Sequence, residues 1–195
     1  MGEMKVERRM MTLQPLQDDA DDIQSRTVEG YAAVFNEDTL MWKSDYTGYE
    51  YREIILPGAF DNTDFSKCVL NYNHGGMLLA RTASDTLKLA VDERGLKLVA
   101  DIADTSIGND VYQLIKRGDL TKMSFAFVAN GEEEEIDREN KVYTRKIKSV
   151  KAVYDVSIVD NPAYEGTTIN TRDSGDYERY KLVEQRKRLM LLAMT

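Results

Sequence analysis

Between residues 68 and 102 four extended apolar runs follow one another closely: 68–73, 78–83, 87–91 and 96–102. Only turn-like pieces separate them, namely His74-Gly75-Gly76, Ser84-Asp85 and the stretch 92–95. A parallel crossover needs a dozen or more residues, so strands this close pair as antiparallel neighbours. Further strand candidates lie at 5–13, 27–35, 51–56, 120–130, 141–150 and 153–159. One helix is marked by its caps. Asp104, Thr105 or Ser106 opens it, Val111, Leu114 and Ile115 give its apolar stripe, and Gly118 stops it. The stretch 59–65 reads as a second, short helix, and 36–50 as a long surface loop. The pattern predicts a β-rich α+β protein whose strands are mostly antiparallel.

With 42% hydrophobic residues in 195, the chain can bury one real core and still carry an extension. The expected division is a main domain over 1–170 and a helical C-terminal extension over 171–195. In that extension Tyr177, Tyr180 and Val183 form a stripe and 189–194 an apolar end. Such a helix packs on the core or on a second copy, or docks the protein into a larger particle. The 26 Lys and Arg against 34 Asp and Glu leave a net charge of −8, which argues against binding nucleic acid by phosphate neutralisation. No apolar run approaches the length of a membrane span, and the N-terminal MGEMKVERRM has no apolar centre of a signal peptide.

Two counts narrow the chemistry further. A single cysteine, Cys68, rules out an internal disulfide framework and fits a reducing compartment. A single histidine, His74, closes every mechanism that needs two, and with Cys68 it leaves no zinc site of ordinary composition. The acidic run 132–135 lacks the spaced Asp/Asn pattern and central glycine of a calcium loop, and reads as the tip of a hairpin. No metal or cofactor is expected. No P-loop, GxGxxG or HExxH pattern occurs.

Three side chains stand out against this background. His74 ends the apolar strand CVLNYN beside a glycine pair, where it is either a satisfied histidine or an acid/base group reaching into a cleft. Ser124 lies in LTKMSFAFVA, on the strand face opposite Met123, Phe125 and Phe127. A hydroxyl there is either bonded to a carbonyl or a nucleophile with room left by Ala126. Asp155 lies in AVYDVSIVD, a strand apolar on both faces, where period-two alternation groups it with Val153, Ser157 and Val159. A carboxylate in such a strand needs a cation or several donors. Cys68 and His74 are six residues apart, about 20 Å along a straight strand, so they form no dyad.

At these residues the sequence resembles the prohead (capsid maturation) proteases of tailed bacteriophages, serine endopeptidases similar in fold to the herpesvirus assembly protease. The landmarks run in order from about Val28 to Tyr164: GYAAVFN (30–36), REIILPGAF (52–60), LNYNH (70–74), LLART (78–82), TLKLAVDERGL (86–96), MSFAF (123–127) and VYDVSIVDNPAY (153–164). The resemblance implies a mostly antiparallel β-barrel core with a few surrounding helices. It makes His74 the general base, Ser124 the nucleophile and Asp155 the third member, where the herpesvirus relatives carry a second histidine. It also implies the partners: the major capsid protein or its N-terminal scaffolding segment, a separate scaffolding protein, further copies of the chain as a homo-oligomer, and the chain itself as a substrate. The place implied is the immature capsid in the host cytoplasm, with neither nucleic acid nor membrane as partner. Two other readings compete: a catalytically inactive assembly or scaffold protein of the same fold, and an unrelated β-barrel binding module in which the three side chains lie apart.

Overall fold

The computed structural model describes residues 7–14 and 26–160; the tail assigned above to a helical extension lies outside them. The described residues form strands β1 (Glu7–Gln14), β2 (Thr27–Val34), β3 (Thr39–Lys43), β4 (Glu50–Ile55), β5 (Val69–Tyr72), β6 (Leu78–Arg81), β7 (Leu87–Val91), β8 (Gly95–Asp101), β9 (Lys122–Asp137) and β10 (Val142–Val159). One α-helix, α1 (Ser106–Arg117), and a 3-10 turn at Thr82–Ser84 complete the set. The helix has the predicted limits. The Thr105 side chain accepts from the Gly108 N–H at 3.0 Å, and Gly118, at φ 85°, returns its N–H to the last turn. Val111 and Ile115 are its buried stripe.

The strand order is β3-β4-β10-β9-β1-β2-β8-β7, with β5 attached to β10 and β6 to β5. The expectation of a β-rich α+β fold holds, but the barrel does not. The two ends of the path, β3 and β7, are not paired, and the sheet stays open. The Thr82–Ser84 turn carries the chain from β6 to β7 without building a ladder between them. A few surrounding helices were expected as well. Among the described residues there is one α-helix, and 59–65 is a succession of turns with N–H bonds from Ala59, Asp61 and Thr63 to Leu56, Gly58 and Phe60.

The pairing is mostly antiparallel, as expected, with two parallel pairs that local spacing does not foretell. β10 runs antiparallel to β9 but parallel to β4 (Thr144 beside Arg52) and to β5 (Ser157 beside Asn71). The short-connection argument governs consecutive strands only. β10 returns after α1 and β9, so nothing in its connection forbids a parallel neighbour. It is also a single strand of 18 residues where two were expected. Its N-terminal half lies between the second half of β9 and β4, and β3 flanks β4. The supposed loop 36–50 contains β3, and the acidic run 132–135 lies within β9, not at a tip. There Glu132 pairs with Arg145, Glu133 with Lys148 at 3.0 Å and Glu135 with Lys146 at 2.6 Å. Arg145 also reaches the buried Glu53 at 3.2 Å. Trp42 stacks on Tyr51 with ring centroids 3.7 Å apart.

The core lies on one face of β9 and β10. Met123, Phe125 and Phe127 are fully buried, with Val153, Val156 and Ile158 beside them. Phe125 meets Phe60 edge-on at 6.3 Å and stacks on Phe127 at 4.9 Å. Leu70, Leu79, Leu96, Leu98 and Ile115 close the cluster. Phe125→Ala removes its central ring, and the expected loss is about 3–5 kcal/mol of stability. Chemical denaturation followed by the fluorescence of the single tryptophan, Trp42, measures it.

Candidate active site

β9 alternates cleanly over its first half. Met123, Phe125 and Phe127 enter the core, so Ser124 and Ala126 stand on the opposite face. The neighbouring strand does not alternate so simply. Val153 pairs with Phe127, but the next pair is Asp155 with Ala126. β10 has moved two residues while β9 moved one, and Tyr154 is the extra residue of a β-bulge. Period-two reading puts Val153 and Asp155 together, whereas the bulge sends Val153 to the core with Phe127 and Asp155 to the face of Ala126. Ser157 follows opposite Ser124. Four positions of two strands thus form a square on one face: Ser124, Ala126, Asp155 and Ser157.

The histidine comes from β5, which lies on the other side of β10. After Tyr72 the chain turns sharply through two left-handed residues, Asn73 at φ 51° and His74 at φ 56°. Non-glycine residues hold such angles at a cost of about 1–3 kcal/mol each, so the surroundings must fix them. The Asn73 N–H donates to the Ile158 carbonyl at 3.0 Å, and the Asp160 N–H to Asn73 Oδ1 at 3.3 Å. The Gly76 N–H closes the turn on the Tyr72 carbonyl at 2.9 Å, and the His74 N–H donates to Ser157 Oγ at 3.2 Å. The turn folds the imidazole back across the square.

The three side chains singled out in the sequence are brought into one hydrogen-bonded chain. His74 Nδ1 lies 2.8 Å from Asp155 Oδ1, and His74 Nε2 lies 2.6 Å from Ser124 Oγ. A carboxylate oxygen accepts, so Nδ1 carries the proton and Nε2 offers its lone pair to the Ser124 hydroxyl. The side chains of His74 and Asp155 are 15% and 14% exposed, so bulk water screens their contact weakly. The ring spans the diagonal of the square, from Ser124 to Asp155, beside the buried Ala126. Both ring nitrogens are used, which leaves Cys68 outside the arrangement. Burial, then the nearby Asp155 charge, push its thiol up to about 12. Alternation sets Ser157 on the face of Asp155 but does not mark it as part of the site, where its hydroxyl donates to Asp155 Oδ1 at 2.8 Å. Its signal was available as a serine two residues from a buried acid in an otherwise apolar strand. Among the described residues no group of three or more His, Cys, Asp or Glu is placed to hold a metal ion.

Two expectations follow. The folded protein keeps Cys68 as a neutral thiol, so a thiol reagent at about pH 8 modifies it only after guanidinium unfolding; mass spectrometry before and after denaturation checks this. In the turn, a Cβ on Gly76 would stand 2.7 Å from the Tyr72 carbonyl oxygen, while one on Gly75 meets nothing within 4 Å. Gly76→Ala should lower stability by about 1–3 kcal/mol and Gly75→Ala by less than about 0.5 kcal/mol, as read by thermal melts.

Residues 14–181 match the family model of the caudovirus prohead serine protease. No curated protein and no solved structure matches the chain. The likeness to the herpesvirus assembly protease thus rests on the sequence resemblance alone. With the family model covering most of its length, the chain belongs to the caudovirus prohead serine protease family.

Proposed function

We propose that the protein is an active serine endopeptidase in which Ser124 is the nucleophile, His74 the general base and acid, and Asp155 the group that orients the imidazole. The observation that carries this reading is the unbroken chain from Ser124 Oγ through His74 to Asp155, at 2.6 and 2.8 Å. Family membership supports the reaction class.

In the proposed reaction the Ser124 oxygen attacks a peptide carbonyl carbon while His74 Nε2 takes the hydroxyl proton. The imidazolium so formed is stabilised by Asp155 across the Nδ1 hydrogen bond. When the tetrahedral intermediate collapses, the leaving amine takes the proton from Nε2 and an acyl ester remains on Ser124. A water then attacks the ester, giving its proton to Nε2, and the same steps in reverse release the carboxylate product and restore the serine. His74 does both proton transfers, as the one imidazole of the chain must. The chemistry asks for no metal or cofactor.

The substrates proposed are those of capsid maturation: the major capsid protein or its N-terminal scaffolding segment, a separate scaffolding protein, and the protease itself. The place is the interior of the immature capsid in the host cytoplasm, where the enzyme acts as a homo-oligomer. Among the described residues no helix is long and apolar enough to cross a membrane. The tail 171–195 is proposed as a helix that packs, or docks the enzyme into the prohead and is then removed.

Intact mass after co-expression with the phage's capsid protein tests the proposal. Wild type should trim the capsid protein or itself. Ser124→Ala should not, and Asp155→Asn should slow processing by roughly 10⁴-fold with the fold retained. Equal processing by wild type and Ser124→Ala would remove Ser124 from the mechanism and implicate a host protease. Processing by neither would favour the inactive scaffold.

A further inference from the structure

Ser157 has no exposed surface, and it sits in the one strand that supplies the acid. A buried hydroxyl needs partners, and this one finds both in the same place. Its O–H donates to Asp155 Oδ1 at 2.8 Å, and its oxygen accepts the backbone N–H of His74 at 3.2 Å. Asp155 Oδ1 thus receives two donors at equal distance, His74 Nδ1 and Ser157 Oγ. The serine also ties the carboxylate to the main chain of the turn that carries the imidazole. That turn is the strained element, since Asn73 and His74 both stand in the left-handed region. Its other restraints act at Asn73 and Gly76, so Ser157 is the group that holds His74 at its own amide.

The geometry points to Ser157 as a positioning residue that clamps the His74 backbone and the Asp155 carboxylate in one register. It acts through these two groups and makes no claim on the peptide. It fixes the Asp155 oxygen that meets Nδ1 and the main chain from which the ring projects, and so holds Nε2 at Ser124. Only the kinetic half of this inference rests on the proposed protease activity.

The test uses the full chain as wild type, Ser157→Ala and Ser157→Thr, with an alkyl fluorophosphonate as probe. In the labelling step the Ser124 oxygen bonds to phosphorus, fluoride leaves, and the hydroxyl proton passes to His74. Ser157→Ala should lower the maximal labelling rate by about 10- to 100-fold. The half-saturating probe concentration should change by less than about twofold, because no binding contact is removed. Ser157→Thr restores the hydroxyl and should recover most of the rate. A second readout is independent of turnover. The chain has one histidine, so its Hδ1 proton gives a single downfield NMR signal. That signal should shift or broaden into exchange in Ser157→Ala and return in Ser157→Thr.

Labelling of Ser157→Ala at the wild-type rate, with an unchanged Hδ1 signal, would overturn the inference and leave the protease reading standing. A rate that falls only in proportion to the unfolded fraction, again with the Hδ1 signal of the folded protein unchanged, would also overturn it, because the serine would then be structural. If wild type fails to label while the Hδ1 signal still depends on Ser157, the positioning role is upheld and the protease reading is the one that fails.

Discussion

At Tyr154 the β10 strand sets two residues against one of β9, and every side chain that follows changes face. Without that extra residue Asp155 and Ser157 would stand opposite Phe125 and Met123, and an uncompensated carboxylate would enter the core. With it, Val153, Val156 and Ile158 share the apolar side while Asp155 and Ser157 share the other. The packing of the core and the assembly of the hydrogen-bonded chain are consequences of the same irregularity. Each makes the alternative register costly, because a slip would bury a charge and expose aliphatic side chains together.

The histidine is held by a different kind of force. β5 delivers the chain to the right edge of β10, but the backbone must then adopt two unfavourable conformations in a row to send the ring back over the sheet. Hydrogen bonds to Ile158, Ser157 and the Asp160 amide balance that strain, and all three lie at the end of β10. One strand therefore carries the acid directly and secures the histidine indirectly. Only the serine belongs to its partner. The ladder between β9 and β10 then sets the remaining distance.

Much of this was legible in the residues, and the misses share a physical cause. Strand positions from 68 to 102 and the limits of α1 follow from local signals, alternation and caps, and the structure agrees with them. His74, Ser124 and Asp155 stood out because each sets a polar group against an apolar strand, and the resemblance joined them into one site. What local pattern cannot carry is pairing between distant segments. The parallel neighbours of β10, the open sheet in place of a barrel, and the bulge at Tyr154 are all decided by which strands meet. The role of Ser157 was hidden in part for the same reason, since one of its two partners, the His74 amide, is brought to it by β5 and the turn. The acidic run 132–135 lies between two strand candidates and so reads as a hairpin tip, yet Arg145, Lys146 and Lys148 across the ladder make it strand.

Those pairings alter how the molecule is seen from a distance. In the sequence the four glutamates form a pole of negative charge at one place. In the folded hairpin three of them face cations on the adjacent strand, and the pole becomes a row of short dipoles. Exposed pairs of this kind add little stability. Their larger effect is on the field, since the potential of a dipole falls off faster than that of a free charge and salt removes most of the rest within about 10 Å. The hairpin thus projects a weaker field than four free carboxylates would. The hairpin 132–148 holds six acidic and five basic residues, so it carries −1 of the net −8, and an approaching chain meets most of this protein's acidity elsewhere than at the run of four glutamates.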